Sequence, residues 1–275
     1  MHASWNYVAK KVSGGVAFVW LFSSLSAALY LPLAAYIWFT QRPDLQPLSF
    51  VFMLGTALIH IVYFLVLQRG YRVGDLSLVY PLARGSGPLL STILAIIIFK
   101  ERPTPLALAG AGLIIVSVFL LAGGHTLFRQ GKSAKTQKAI IYGLTTGLLI
   151  ATYTLWDKYA VAVLLIPPLI FDWASNFLRS LFLVPSAYQN WQTVRWHWSK
   201  HLREILVVAT LSPLAYILVL TALRFSPVSY IAPTREISIL MGTLLGTSLL
   251  KEGDAKRRLS AAFLMVLGVI ALALG

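Results

Sequence analysis

The sequence contains no cysteine, which excludes disulfides, thiolate metal centres and cysteine nucleophiles. Acidic residues are scarce, with Asp and Glu together numbering 9 in 275 residues. All charged residues make up 12% of the chain, about half the share of an ordinary soluble domain. Long hydrophilic segments are missing too, so no stretch between apolar runs is large enough to fold as a soluble domain. A phosphate-binding loop is lacking: Gly131-Lys132-Ser133 has Thr126 where the pattern GxxxxGKS needs its first glycine. No GxSxG or HExxH pattern marks a hydrolase. The opening residues Met1-His2-Ala3-Ser4-Trp5 carry no basic stretch followed by an apolar core, so no cleavable leader is expected.

Apolar residues are abundant, at 58% of the chain. They recur in runs close to the roughly 20 residues that cross a bilayer as a helix. The pattern predicts an all-α integral membrane protein with ten transmembrane helices. These are residues 1–11 (short), 14–39, 48–68, 75–99, 105–121, 139–163, 168–188, 202–223, 226–250 and 259–274. The formal net charge of +14 would suggest nucleic acid in a soluble protein. Here the cations fall mostly in short loops and act as topology signals, so no nucleic-acid partner is expected. Fifteen lie in alternate loops on one face, against Arg42, Lys100, Arg102 and Arg224 on the other. The richer face is expected in the cytoplasm and the C-terminus outside. A loop with Trp191, Trp196 and Trp198 suits a membrane–water interface.

The chain repeats itself at an offset of 151 residues. Residues 75–101 (DLSLVYPLARGSGPLLSTILAIIIFKE) align with 226–252 (SPVSYIAPTREISILMGTLLGTSLLKE), pairing Arg84 with Arg235, Thr92 with Thr243 and Lys100-Glu101 with Lys251-Glu252. Trp5 pairs with Trp156, Ala9 with Ala160, Leu113 with Leu264 and Val118 with Val269. The expected organisation is a first five-helix repeat at 1–124, a basic linker at 125–138 and a second repeat at 139–275. Five is odd, so the two repeats should be inverted, a common plan for secondary transporters with a site near the bilayer midplane. Against its counterpart, the first span is truncated. The natural product is expected to start upstream, or this chain to carry half a first helix.

These motifs resemble a known family. ARGSGP with a following KER, APTRE with a following LLKE, and HASWN at His2–Asn6 are similar to EamA-type carriers of the drug/metabolite transporter superfamily. The resemblance implies ten helices in two inverted halves around a central cavity, and movement of small organic solutes. Relatives are usually drawn with both termini cytoplasmic, against the charge count.

Four cations lie within spans: Arg84, Lys158, Arg179 and Arg235. The acids there are Asp157, Asp172 and Glu236. Such charges face the protein interior or a cavity and need partners. Arg84 and Arg235 are the foremost candidates, because a guanidinium fork suits a carboxylate or phosphonate. The alternative is that each only locks helices together. Tyr80 and Tyr230 precede them and stack on a ring or fill space. Trp156 and Asp157, with Trp5 and Asn6 as counterparts, are the second candidate. A carboxylate in low dielectric can take and release a proton; solvation of Asp157 and Lys158 by headgroups is the other reading. His60 is a further proton-relay candidate, sharing a face with Tyr63. Asp172, Asn176 and Arg179 form a polar face on span 7 that sets selectivity or simply fills the core. Gly85, Gly87, Pro88 and Pro233 interrupt their spans and are candidate hinges.

The expected protein is therefore a multi-pass carrier of the cell (inner) membrane, monomeric or homodimeric, with no cofactor, no metal and no enzymatic activity. It would be a secondary active transporter moving an amino-acid-like or anionic small metabolite, with a proton gradient as one candidate energy source. The alternatives are a flippase for lipid head groups on the same fold, and an intramembrane hydrolase.

Overall fold

The computed structural model describes residues 2–99, 104–122, 133–225 and 228–275, with side chains outside the description at 88, 91–99, 122 and 228–237. Ten helices and no strand account for the described secondary structure: α1 (His2–Val12), α2 (Gly15–Gln41), α3 (Pro47–Val73), α4 (Leu76–Phe99), α5 (Pro105–Ala122), α6 (Ala134–Ala162), α7 (Pro168–Gln189), α8 (Trp191–Phe225), α9 (Val228–Ser248) and α10 (Ala255–Leu274). Five of them, α2, α3, α6, α8 and α10, are long and apolar enough to cross a membrane by length and composition. Helix α1 has 11 residues, whereas α6, at the matching place in the repeat, has 29.

Two stretches expected to be loops are helical. The last part of the basic linker belongs to α6, which begins at Ala134. The tryptophan-rich segment after α7 is the start of α8, broken from the rest at His201 (φ −127°, ψ 26°). Its charge and aromatic content suggested a loop. The spacing of Val194 and His197, both buried and three residues apart, is the helical signal beneath it.

The helices form two compact units, residues 1–68 with 153–226 and residues 69–152 with 227–275. In the first unit α2 packs on α7 and α8, and α8 also holds α1. Polar side chains mark the contacts. Ser26 donates to the carbonyl of Ala209 at 2.9 Å, Tyr30 to that of Thr210 at 2.8 Å, and Trp173 to that of Ala27 at 2.9 Å. Without water to compete, such bonds choose which helix faces which, each contributing about 0.6–2 kcal/mol.

The second unit depends on close backbone approach. Gly110 of α5 meets Gly268 of α10: a Cβ on Gly268 would stand 2.9 Å from the Gly110 carbonyl oxygen, and one on Gly110 would stand 2.6 Å from that of Gly268. Around this crossing, Ala107, Ile114, Val269 and Leu272 form a buried cluster. The start of α4 is finished by a residue 176 positions away. The Glu252 carboxylate accepts the N–H of Leu76 at 2.7 Å and of Ser77 at 2.8 Å, together with the Ser77 hydroxyl. Those amides are among the first donors of α4, which have no partner inside the helix, and a negative charge suits that end of the dipole. Arg258 closes the group by donating to Ser77 and, at 2.6 Å, to Asp75.

Glu252→Ala should lower the stability of detergent-solubilised protein by about 1–2 kcal/mol, the range for losing a helix cap. Gly268→Leu should lower it further, because the clash is with backbone rather than with a movable side chain. Thermal unfolding of both variants beside the parent checks the order.

Candidate functional site

Within the first unit, five helices bring polar and aromatic side chains to one buried place. Helix α3 supplies Thr56, His60, Tyr63 and Phe64, whose spacings of four, three and one put them along one stripe. All four are buried. Helix α6 supplies Tyr153 and, one turn on, Asp157, which is wholly inaccessible at 0% exposure. Helix α8 supplies Tyr216, whose hydroxyl donates to Asp157 Oδ2 at 2.5 Å. The other carboxyl oxygen, Oδ1, has no hydrogen-bond partner among the described residues.

His60 lies against these groups. Its ring stacks on Tyr153 with centroids 4.5 Å apart and meets Tyr216 edge-on at 5.4 Å. Its Nδ1 is 2.9 Å from the Thr56 carbonyl oxygen. The Thr56 hydroxyl is 3.0 Å from the same nitrogen, so Nδ1 donates to the carbonyl in one tautomer and accepts from the hydroxyl in the other. The stack gives the imidazole a fixed plane, and Tyr63 packs across Tyr153 at 5.4 Å.

The cation of this site is Arg179 on α7. It is buried at 4% exposure, with its guanidinium 4.6 Å from the Phe64 ring and 5.9 Å from that of Phe22. Its Nε donates to Ser23 of α2 at 2.8 Å, and its Nη2 donates to Asn176 Oδ1. The Asn176 amide in turn donates to Asp172 Oδ2 at 3.0 Å. Asn176 thus couples guanidinium to carboxylate one helical turn apart on either side. Phe64 touches Arg179 on one side and Tyr63 and His60 on the other, at 4.8 and 6.3 Å. One acid with tyrosine around it and one guanidinium with phenylalanine around it therefore belong to a continuous aromatic cluster. Among the described residues no three His, Asp or Glu side chains converge as a metal site.

The residues singled out from sequence are distributed as follows. Asp157 and His60 lie together in this cluster. Trp5 is at its edge, 5.9 Å from Phe64, with its indole N–H lacking an acceptor among the described residues. Asn6 is buried and donates within its own helix to the His2 carbonyl at 2.8 Å. Trp156 occupies the seam between α3 and α6: it stacks on Phe52 at 4.3 Å, donates to the Phe52 carbonyl at 2.9 Å and fills the space left by Gly55. That is a packing position one residue round the helix from Asp157.

Arg84 and Tyr80 belong to the second unit. Arg84 is buried in α4, and Tyr80 donates to Ser238 at 2.9 Å with its ring against Gly242. Helix α4 continues through Gly85, Gly87 and Pro88 without interruption. Gly85 makes room for Met265 and Gly87 for Ile150, so close packing accounts for both glycines. The side chains of Arg235, Tyr230, Glu236 and Pro233, and that of Pro88, lie outside the described residues. So does any meeting of Arg84 with Arg235. The partners that sequence reasoning passed over are Thr56, Ser23, Phe22 and Phe64, none of which carries a signal of its own in the sequence.

The model of the EamA-like transporter family matches residues 1–123 of this chain. No curated protein matches it. One solved structure, described as "Crystal structure of protein", is 14% identical, covering 99% of this chain and 97% of that one with a TM-score of 0.58. At that identity the likeness is one of fold.

Removing one member of a buried charge network leaves the others without compensation. Arg179→Leu should therefore destabilise the protein by about 3–5 kcal/mol, and Tyr216→Phe by about 1–3 kcal/mol through loss of one donor to a buried carboxylate. Thermal unfolding in detergent tests both; equal and small shifts would separate Arg179 from the network described.

Proposed function

We propose that this chain, whose residues 1–123 match the model of the EamA-like transporter family, is a secondary active transporter of a small amino-acid-like metabolite. The proposal includes ten spans arranged as two inverted five-helix repeats. The observation that carries it is the buried pairing of Asp157 with Tyr216 in the same aromatic cluster as Arg179. Ionisable groups at membrane depth are costly, and they are found where a solute or ion path needs them. A carboxylate and a guanidinium set in one aromatic surface complement a zwitterion: the acid meets an ammonium group, the guanidinium a carboxylate, and the rings the apolar part between. Arg84 and Arg235 add a second pair of candidate anion contacts. Asp157 and His60 are the groups through which a proton would be exchanged for solute.

A thermal-shift screen of the purified protein against amino acids and related small metabolites should give stabilising hits. Those hits, loaded with proteoliposomes, should show uptake that Asp157→Asn reduces by about tenfold or more, equivalent to about 1.4 kcal/mol or more. Arg84→Gln should also reduce it. An imposed pH gradient should drive accumulation in the parent and not in Asp157→Asn. Translocation of labelled lipid head groups with no solute flux would replace this reading with that of a flippase.

A further inference from the structure

A second place in the first unit has the chemistry of a binding site and takes no part in the cluster above. Residues 191–200, before the break at His201, form a short helix of their own laid along the beginning of α2. Val194 and His197 point inward, His197 packing beside Phe18 with ring centroids 6.4 Å apart. Trp191, Trp196 and Trp198 point outward and are each about half exposed, at 49%, 52% and 46%. Between this helix and α2 runs an open groove of about 700 Å3.

The groove has two chemically distinct ends. Leu21, Leu25 and Ala28 give it an apolar wall along α2, and the tryptophans give it a rim. Arg195 stands among those tryptophans and also lines it. Arg195 has no acidic partner among the described residues, whereas the neighbouring acid, Glu204, is engaged by Lys11 at 3.5 Å. Lys200 adds exposed positive charge to the same segment, and exposed Arg203 follows just past the break. The Trp20 indole N–H, on the opposite wall, also lacks an acceptor among the described residues.

A helix with tryptophans and cations on its outer face is built to lie in the interfacial layer of a bilayer. Its groove offers a hydrocarbon slot beginning at an indole rim and a guanidinium with no acidic partner among the described residues. We propose that this groove is a binding site for an anionic phospholipid, with the acyl chain along α2 at Leu21, Leu25 and Ala28 and the phosphate at Arg195. A guanidinium forms paired, charge-assisted hydrogen bonds to phosphate, which is the contact a zwitterionic lipid shares. The uncompensated positive charge of the segment adds a preference for a head group with net negative charge.

Native mass spectrometry of the detergent-purified protein with phosphatidylglycerol or phosphatidylcholine of identical chains tests this. Phosphatidylglycerol should give a saturable adduct about fivefold more populated than phosphatidylcholine, the order expected of one interfacial cation. Arg195→Gln should bring the two lipids level, and Leu25→Trp, which fills the slot, should reduce binding of both. Arg42→Gln removes an exposed cation from another part of the chain and should change nothing. Equal binding of the two lipids by the parent would overturn the proposal, as would an effect of Arg42→Gln matching that of Arg195→Gln. Both positions lie on the exposed rim of the fold, so thermal unfolding of each variant should match the parent and keep the comparison interpretable.

Discussion

Hydrocarbon offers nothing to solvate a carboxylate or a guanidinium, so each must be answered by another side chain. That constraint shapes the first unit. Asp157 is met by Tyr216, and Arg179 by Ser23, Asn176 and the face of Phe64. To provide those answers, α2, α3, α6, α7 and α8 must come within side-chain reach of one another. The polar cluster is therefore also what fixes the packing around it. Neutral bonds such as Ser26 to the Ala209 carbonyl then set the finer alignment of α2 against α8.

The second unit meets a different demand. Its described contacts rest on small residues and on completing the backbone. Gly110 and Gly268 let α5 and α10 touch main chain to main chain, where van der Waals contact replaces the hydrophobic driving force that lipid cannot supply. Gly85 and Gly87 serve the same end beside Met265 and Ile150. In sequence, a Gly-Ser-Gly-Pro run reads equally well as a hinge. Only knowledge of what stands opposite decides between the two readings.

The helices themselves were legible in the sequence, because period, length and low charge constrain a membrane helix strongly. Asp157 and His60 were legible as well, since any ionisable group in an apolar run stands out. Their pairings were not. Tyr216 stands out as a polar group in its span, but its pairing with Asp157, 59 residues away, has no local mark, and neither has that of Ser23 with Arg179, 156 residues away. Asp172, Asn176 and Arg179 could be placed on one face, yet the cross-helix reach of Arg179 to Ser23 and Phe64 depends on packing that spacing along one helix does not encode. Trp156 shows the same limit: the gap left by Gly55 that seats it against α3 has no mark in the sequence. The helix at 191–200 was hidden by a composition typical of loops, its inward pair Val194 and His197 being too short a signal to outweigh three tryptophans.

The closure of α4 by Glu252 bears on how the protein is made. A ribosome delivers the Leu76 and Ser77 amides to the translocon long before the acid that satisfies them exists. For most of synthesis, that end of α4 is without the carboxylate that completes it. The last two helices therefore complete an early one as well as adding themselves, and a nascent chain arrested before Glu252 would present an unfinished helix end to cellular quality control.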